Sequence, residues 1–197
     1  MPDKGNFYPP FFFGIGMNLG DYSIIDVLKW LTVVGAFYII IVSVNGYYKE
    51  MAYNAQIIRY GSYRRWMFRY LFTLGIACFL LSMFDYIIFA LNYEFLLCIC
   101  TAFNMTASFI FKGVCLFHIS NRKNYNFWVC IFFVFEIGSV YYHEWSRWNP
   151  FAWSMACRAD VITAQGFNIY IAVAFEIIAI FCVFILRTKK GTVTYKK

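Results

Sequence analysis

The chain has 197 residues, of which 62% are hydrophobic and only 14% are charged, and its net charge is +7. A soluble domain carries about a quarter charged residues, so this composition excludes an ordinary soluble domain. Lys and Arg concentrate in the cytoplasmic loops of membrane proteins, and the positive charge therefore does not indicate a nucleic-acid partner. The composition predicts a single all-α membrane domain over residues 1–197, a polytopic helical bundle in a lipid bilayer.

The first segment, residues 1–22, is rich in Pro, Gly and Phe, and its apolar run is too short to span a bilayer. We expect it to be an outer interfacial segment with its aromatic side chains at the lipid headgroups. Asp21 or Ser23 is predicted to cap the helix that follows. Five segments then have the length and composition of transmembrane helices: 24–44, 67–91, 95–119, 127–142 and 167–186.

The loops between these segments differ sharply in charge. The stretches 47–70, 120–126 and 187–197 together hold twelve of the seventeen Lys and Arg residues. Only Lys4, Arg147 and Arg158 lie in the segments on the opposite side. Because Lys and Arg mark cytoplasmic loops, this bias predicts five transmembrane helices with the amino terminus outside and a basic cytoplasmic tail at 187–197.

The longest polar stretch runs from Tyr47 to Tyr70 and includes a predicted cytoplasmic coupling elbow at 47–66. One interpretation is a basic anchor that binds anionic lipid. We favour a docking element for a soluble partner, since the turn residues Gly61 and Ser62 separate a weakly amphipathic helix from a second helix start. Trp66 and Tyr70 are expected at the membrane interface. The residues predicted to dock the partner are Arg59, Tyr60, Gly61, Ser62, Arg64, Arg65 and Trp66.

Three ionisable residues on three predicted helices reach similar depth. Lys112 lies about 12 Å, and Glu136 and Glu176 about 15 Å, from the cytoplasmic helix ends at 1.5 Å per residue. A charge facing lipid at this depth is costly, so these side chains should face the bundle interior. Two interpretations stay open: a buried ion pair of Lys112 with Glu136 or Glu176, or a polar lining of a translocation path. Asp85, nearer the outer face, is expected to meet water.

The sequence contains no phosphate-binding loop, HExxH or GxSxG motif, and we predict no enzymatic activity and no cofactor in this chain. His118 and His143 fall on opposite membrane faces by the predicted topology, so they cannot share a metal ion. The seven cysteines lie mostly within apolar runs and do not predict a disulfide framework.

A long aromatic loop at 143–160 precedes the last predicted helix. Its aromatic residues are typical of a belt at the bilayer interface. A second interpretation is a surface that contacts a substrate on the outer side. The residues concerned are Trp145, Trp148, Phe151 and Trp153, and the loop also contains Asn149, Pro150 and Arg158.

The run Arg59-Tyr60-Gly61-Ser62 followed by Trp66 resembles the permease subunits of small type-2 ABC exporters of Gram-positive bacteria, which serve bacteriocin or lantibiotic export and immunity. The segment Ser23 to Trp30 is similar to these proteins as well. So is the outer loop, through Asn149-Pro150 followed by Phe151, Trp153, Met155 and Arg158.

The resemblance implies a permease in the bacterial plasma membrane, working with a cytoplasmic ABC ATPase subunit and with a second copy or a sister permease. ATP and Mg²⁺ would bind to the ATPase. The substrates would be amphipathic peptides or hydrophobic compounds expelled from the membrane. Such permeases usually have six spans, so this chain is expected to be a five-span variant or to start further upstream. The alternatives are a stand-alone bacteriocin immunity or membrane-binding protein and an accessory scaffold with no transport path.

Overall fold

The computed structural model describes residues 10–16, 23–51, 63–89, 93–120, 124–159 and 167–194. Six α-helices lie in these ranges: α1 Pro10–Phe13, α2 Ile24–Met51, α3 Tyr63–Phe89, α4 Phe95–Ile119, α5 Tyr125–Tyr141 and α6 Ile169–Thr194. Three short 3₁₀ helices connect α5 to α6: His143–Trp145, Ala152–Ser154 and Ala156–Arg158. The predicted all-α helical bundle is confirmed, since the only strand-like feature in the described ranges is a single bridge between Ala159 and Phe167.

The five long helices coincide with the five predicted spans, although their ends differ. The bounds of α4 agree with the prediction, whereas α2 ends later and α3 begins earlier than expected. Three of them, α2, α3 and α4, are long and apolar enough to cross a membrane. The apolar parts of the other two, Tyr125–Tyr141 and Ile169–Ile185, are shorter, and their 17 residues would reach about 25 Å as a helix.

A capping box begins α2. The Ser23 hydroxyl accepts a hydrogen bond from the Asp26 backbone N–H at 3.2 Å, and the Asp26 carboxylate accepts from the Ser23 N–H at 3.0 Å. This reciprocal pair satisfies backbone donors that the first helical turn leaves free. Of the two predicted caps, Ser23 is therefore confirmed, while Asp21 lies outside the described residues.

The central helix of the bundle is α4, which packs against each of the other long helices and against the loop after α5. Its backbone is approached closely at Gly113, where Asn45 of α2 donates a side-chain hydrogen bond to the Gly113 carbonyl at 3.1 Å. Tyr70 of α3 donates in turn to the Asn45 side chain at 2.8 Å. A polar contact inside the bundle therefore connects α2, α3 and α4.

The outward face of the bundle is apolar. On α3 the exposed side chains recur every four residues or multiples of four, at Phe68, Phe72, Leu80 and Phe84. Exposed aromatic and aliphatic side chains over whole helix faces suit a lipid environment, where they need no further cover. The protein is accordingly described as membrane-embedded.

The bundle has two distinct ends. At the elbow end, α2 finishes at Met51 and α3 begins at Tyr63. At the loop end, α5 finishes at Tyr141 and α6 begins at Ile169. The basic residues Arg64 and Arg65 lie at the elbow end. The helices alternate in direction, as the predicted topology requires, and the membrane side on which each end lies stays a prediction.

The described part of the amino-terminal segment is covered by protein. Phe12 and Ile15 are fully buried, and Phe13 nearly so, because α1 packs against α2 and α3. The expectation that these aromatic side chains face lipid headgroups was therefore wrong for Phe12 and Phe13. Gly14 permits this packing, since its φ is +83° and an added Cβ would lie 2.7 Å from the Met155 Cβ.

Gly14→Ala should lower the free energy of unfolding in detergent micelles by about 2–4 kcal/mol. An alanine at this position is strained by the left-handed backbone, and its Cβ also clashes with Met155. Gly35→Ala is the matched control, since no atom outside the local helix backbone lies within 4 Å of its added Cβ. Within α2 that change should be neutral or stabilising by up to about 1 kcal/mol. Equal effects of the two substitutions on thermal unfolding would contradict the packing of α1.

Candidate functional site

A buried ion pair lies inside the bundle. Lys112 of α4 and Glu136 of α5 are 1% and 0% exposed, and the Lys112 Nζ is 2.6 Å from Glu136 Oε1. Tyr38 of α2 donates its hydroxyl to the same carboxylate oxygen at 3.4 Å. The structure thus brings together two of the three predicted intramembrane charges and pairs Lys112 with Glu136.

The loop after α5 supplies the other partners of Lys112. Its ammonium group donates to the Ser154 hydroxyl at 3.1 Å and to the Phe151 carbonyl at 3.4 Å. With Glu136 these acceptors match the three N–H donors of a lysine. The Phe109 ring lies 4.5 Å from Nζ, near enough for a cation–π contact. The charge is therefore held by groups from α4, α5 and the loop.

Glu176 of α6 is the third predicted charge, and it is also fully buried. Neither of its carboxylate oxygens has a hydrogen-bond partner among the described residues. The charge of Lys112 and the hydroxyl of Ser108 both act on it, which places Glu176 beside the ion pair and on the α6 side of α4. The structure therefore gathers all three predicted residues in one region but leaves the second acid unpaired.

Polar side chains continue along the same face of α4. Thr101, Asn104, Ser108 and Lys112 follow one another at intervals of three or four residues, and all are buried. This spacing places them on one helix face. Asn104 donates to the Trp153 carbonyl of the loop at 2.6 Å, whereas its own side-chain oxygen and the Ser108 hydroxyl have no partner in the described part of the chain. A polar column therefore runs along about three turns of α4 inside the bundle.

Asp85 of α3 departs from its prediction. It is only 5% exposed, so the expectation that it meets water was wrong. Sequence position along the helix gave its depth but not its direction, and the side chain turns into the bundle beside Ser82 and the core of α4 rather than out of it. One of its carboxylate oxygens has no partner within the described ranges.

Residues 143–159, here called the inserted loop, enter the loop end of the bundle. Arg158 is 1% exposed and donates to the carbonyls of Ile15 at 2.7 Å and Val140 at 2.9 Å. It also donates to the Ser139 carbonyl and, at 3.1 Å, to the Ser146 hydroxyl. One guanidinium group therefore fastens the inserted loop to α5 and to the segment after α1. Sequence reasoning named Arg158 but missed this role.

The four aromatic residues of the inserted loop divide into two pairs. Trp145 and Trp148 are exposed, at 66% and 76%, as either predicted role requires. Phe151 and Trp153 instead pack into the protein, with Phe151 stacked on Phe135 at a ring separation of 5.3 Å. The belt interpretation is therefore wrong for Phe151 and Trp153.

The turn at the start of this packed region contains Asn149 and Pro150. The Asn149 side chain accepts a hydrogen bond from the Phe151 backbone N–H at 3.1 Å, and its carbonyl accepts from Ala152 at 2.9 Å. Both contacts favour a tight turn. These residues thus shape the inserted loop.

A cavity of about 270 Å³ opens at the loop end between the inserted loop and α6. It is mostly apolar, with a single cationic residue in its wall. Its lining is Arg147, Trp148, Trp153, Phe167, Asn168, Ile171, Ala172 and Phe175. Its volume is slightly below the range of about 300–1,000 Å³ that is usual for small-ligand sites.

The predicted docking element is described only in part. Arg59, Tyr60, Gly61 and Ser62 lie outside the described residues, whereas Arg64 and Arg65 are exposed in the first turn of α3. Trp66 and Tyr70 were expected at the membrane interface; their side chains are covered by protein, at 1% and 0% exposure, and thus face the bundle rather than lipid or water.

An aromatic cluster holds the elbow end together. The Trp66 ring lies 5.9 Å from the rings of both Tyr48 on α2 and Phe117 on α4. Lys49 donates to the Ser120 carbonyl at 2.7 Å and lies 4.6 Å from the Tyr125 ring at the start of α5. The ends of four helices are therefore joined at this point. We call these residues the elbow cluster.

Metal binding finds no support in the side chains that the structure describes, since no group of three or more His, Cys, Asp or Glu residues could hold an ion there. In comparisons with known proteins, no family model, curated protein or solved structure matches this chain. The resemblance to exporter permeases stays a prediction.

Arg158→Met should lower the free energy of unfolding by about 3–5 kcal/mol, because it removes the hydrogen bonds of several buried carbonyls at once. Arg147→Met, in the same loop but exposed, should change it by no more than about 0.5 kcal/mol. Thermal unfolding in detergent micelles measures both. Similar stability of the two variants would show that the inserted loop is not fastened through Arg158.

Proposed function

We propose that this chain is the permease subunit of an ABC-type exporter in a bacterial plasma membrane, driven by a separate cytoplasmic ATPase. The observation that best supports the proposal is the first turn of α3. Exposed Arg64 and Arg65 precede the fully buried Trp66, so a surface suited to an acidic partner is attached directly to the packed core. A lipid anchor needs only the charges, whereas a coupling element also needs a rigid attachment.

The elbow cluster provides that attachment. Trp66 contacts α2 through Tyr48 and α4 through Phe117, so a force on the start of α3 acts on three helices together. Close-packed interiors transmit small displacements because they have few voids in which to absorb them. Closure of an ATPase dimer against the elbow would then shift the bundle between two arrangements as a rigid-body movement.

The substrate class in this proposal is amphipathic peptides or hydrophobic compounds. The cavity at the loop end has aromatic walls and Arg147 at its rim, which suit an apolar side chain next to an anionic group. The exposed rings of Trp145 and Trp148 extend the same aromatic surface. A second copy of the chain, or a sister permease, would complete the transport pathway.

The test of the docking role is the double substitution Arg64→Glu and Arg65→Glu. The variant should lose co-purification of the ABC ATPase encoded with it, together with ATP-dependent export, because two attractive charges become repulsive. Arg147→Glu, a charge reversal on an exposed arginine at the opposite end of the bundle, should leave co-purification of the ATPase intact. Normal ATPase binding by the double variant would rule out the docking assignment.

The same variant separates the exporter from a stand-alone immunity protein. Cells that express a stand-alone protein would stay protected against the bacteriocin when Arg64 and Arg65 are reversed, since no ATPase takes part. Loss of protection in parallel with loss of the ATPase supports the exporter.

A translocation role for the ion pair has its own test. Lys112→Met should abolish ATP-dependent export if Lys112 lines the path, while the ATPase still co-purifies. Arg158→Lys is the control for damage to the inserted loop, because it weakens the hydrogen bonds of the loop but leaves Lys112 in place. Export that survives in Arg158→Lys and is lost in Lys112→Met would assign the loss to the Lys112 charge. Unchanged export together with altered thermal stability in Lys112→Met would leave the ion pair with a structural role alone.

A further inference from the structure

Glu176 is the one acid of the central region without a partner in the described structure. It is fully buried, and neither carboxylate oxygen accepts a hydrogen bond from the described residues. An ionised carboxylate in such a place would be strongly unfavourable, since no donor replaces the water that it has lost. A neutral carboxylic acid avoids this cost and has a proton to donate. The burial of Glu176 therefore favours its protonated form.

Oxygen atoms on the facing helix point to the same conclusion. The Ser108 hydroxyl faces the Glu176 carboxyl and interacts with it, although the geometry of a good hydrogen bond is not met between the two. Asn104, one turn away on the same face of α4, keeps an unpartnered side-chain oxygen that can only accept. The Asn104 oxygen needs a donor, and the Ser108 hydroxyl can accept as well as donate, so a protonated carboxyl finds acceptors on this face of α4.

The charges of the region add a third argument. Lys112 is bonded to Glu136 at 2.6 Å, yet its charge also acts on Glu176. One cation can neutralise only one of the two carboxylates, so the other must hold a proton if the buried region is to be neutral. Since α4 contacts both α5 and α6, the lysine lies between helices that carry one acid each.

In the described parts of the other elements packed near α6, no buried cation faces Glu176 apart from Lys112. On α3 the buried titratable groups are Tyr70, Cys78 and Asp85; none of them is a cation, and a charge on Asp85 would only favour protonation of a neighbour. The inserted loop packs Trp153 against Phe175, and its buried cation Arg158 is bonded to the carbonyls of α5 and of the segment after α1. Lys112 is thus the cation available to Glu176.

We propose that Glu176 binds one proton in this bundle, and that Lys112 is shared between the two acids. When Lys112 pairs with Glu136, the proton is on Glu176; when Lys112 pairs with Glu176, the proton has left Glu176 and is bound by Glu136. The number of charges is the same in both arrangements. The position of the proton then decides whether α4 is bonded to α5 or to α6. This inference does not depend on the exporter proposal.

Infrared spectroscopy of the purified full-length protein in detergent micelles tests the bound proton. At neutral pH the wild type should show the carbonyl stretch of a protonated carboxyl, shifted in D₂O, and Glu176→Gln should lose it. Asp85→Asn identifies any share of the signal that Asp85 contributes, and Glu94→Gln, at an exposed acid, should change nothing. A wild type without this signal, or an undiminished signal in Glu176→Gln, would overturn the proposal.

Glu136→Gln tests the sharing of Lys112. The lysine should turn to Glu176, and the protonated-carboxyl signal should disappear although Glu176 itself is unchanged. Lys112→Met should instead raise the Glu-derived signal about twofold, since both acids then hold a proton. A signal that persists in Glu136→Gln would overturn the exchange. If Glu136→Gln does not fold, Lys112→Met provides the test. An unchanged protonated-carboxyl signal in Lys112→Met would contradict the sharing of Lys112 between Glu136 and Glu176.

Discussion

The interaction on which the structure depends is the buried pair of Lys112 and Glu136. A charge removed from water must be matched inside the protein, because its desolvation cost is large. Lys112 meets that requirement with Glu136 and with two oxygen atoms of the inserted loop. The central helix, α5 and the loop are therefore held in one register. Apolar contacts alone would allow α4, α5 and the inserted loop to pack in several relative positions, whereas the ion pair forms in few of them.

The inserted loop is possible for a related reason. Irregular backbone within a membrane protein is tolerated where protein covers it and satisfies its polar groups. Arg158 does so at several carbonyls, and Gly14 lets the amino-terminal segment approach the loop without a Cβ in the way. Because the loop occupies the end of the bundle, α5 can be as short as 17 residues.

Much of this arrangement could be predicted from sequence, and the failures have a common cause. Hydrophobic length identifies a helix reliably, so the bounds of α4 agreed with the prediction. Lys112, Glu136 and Glu176 were placed together because depth follows from residue counting along a helix. Burial of a very short helix or of an irregular segment leaves no periodic pattern in the sequence, which is why the packing of Phe12 and the role of Arg158 were missed. For Asp85 and Trp66, depth was predictable but the facing direction was not.

Different interactions stabilise the elbow end of the bundle and its middle. The elbow cluster ties four helix ends into a unit through aromatic rings and Lys49. Between that unit and the inserted loop lies the polar column of α4, in which Lys112 is paired while the Asn104 oxygen and the Ser108 hydroxyl have no partner among the described residues. The elbow end is thus stabilised mainly by aromatic contacts, and the middle by the ion pair of Lys112 and Glu136.

The most direct measurement of the central claim is a double-mutant cycle between Lys112 and Glu136. It is best made in the Glu176→Gln background, where Lys112 has no second acid to pair with. Unfolding of Lys112→Met, Glu136→Gln and the combined variant in detergent micelles should give a coupling free energy of about 2–3 kcal/mol. Effects that add to within about 0.5 kcal/mol would contradict the account, because the two side chains would then fold independently of each other.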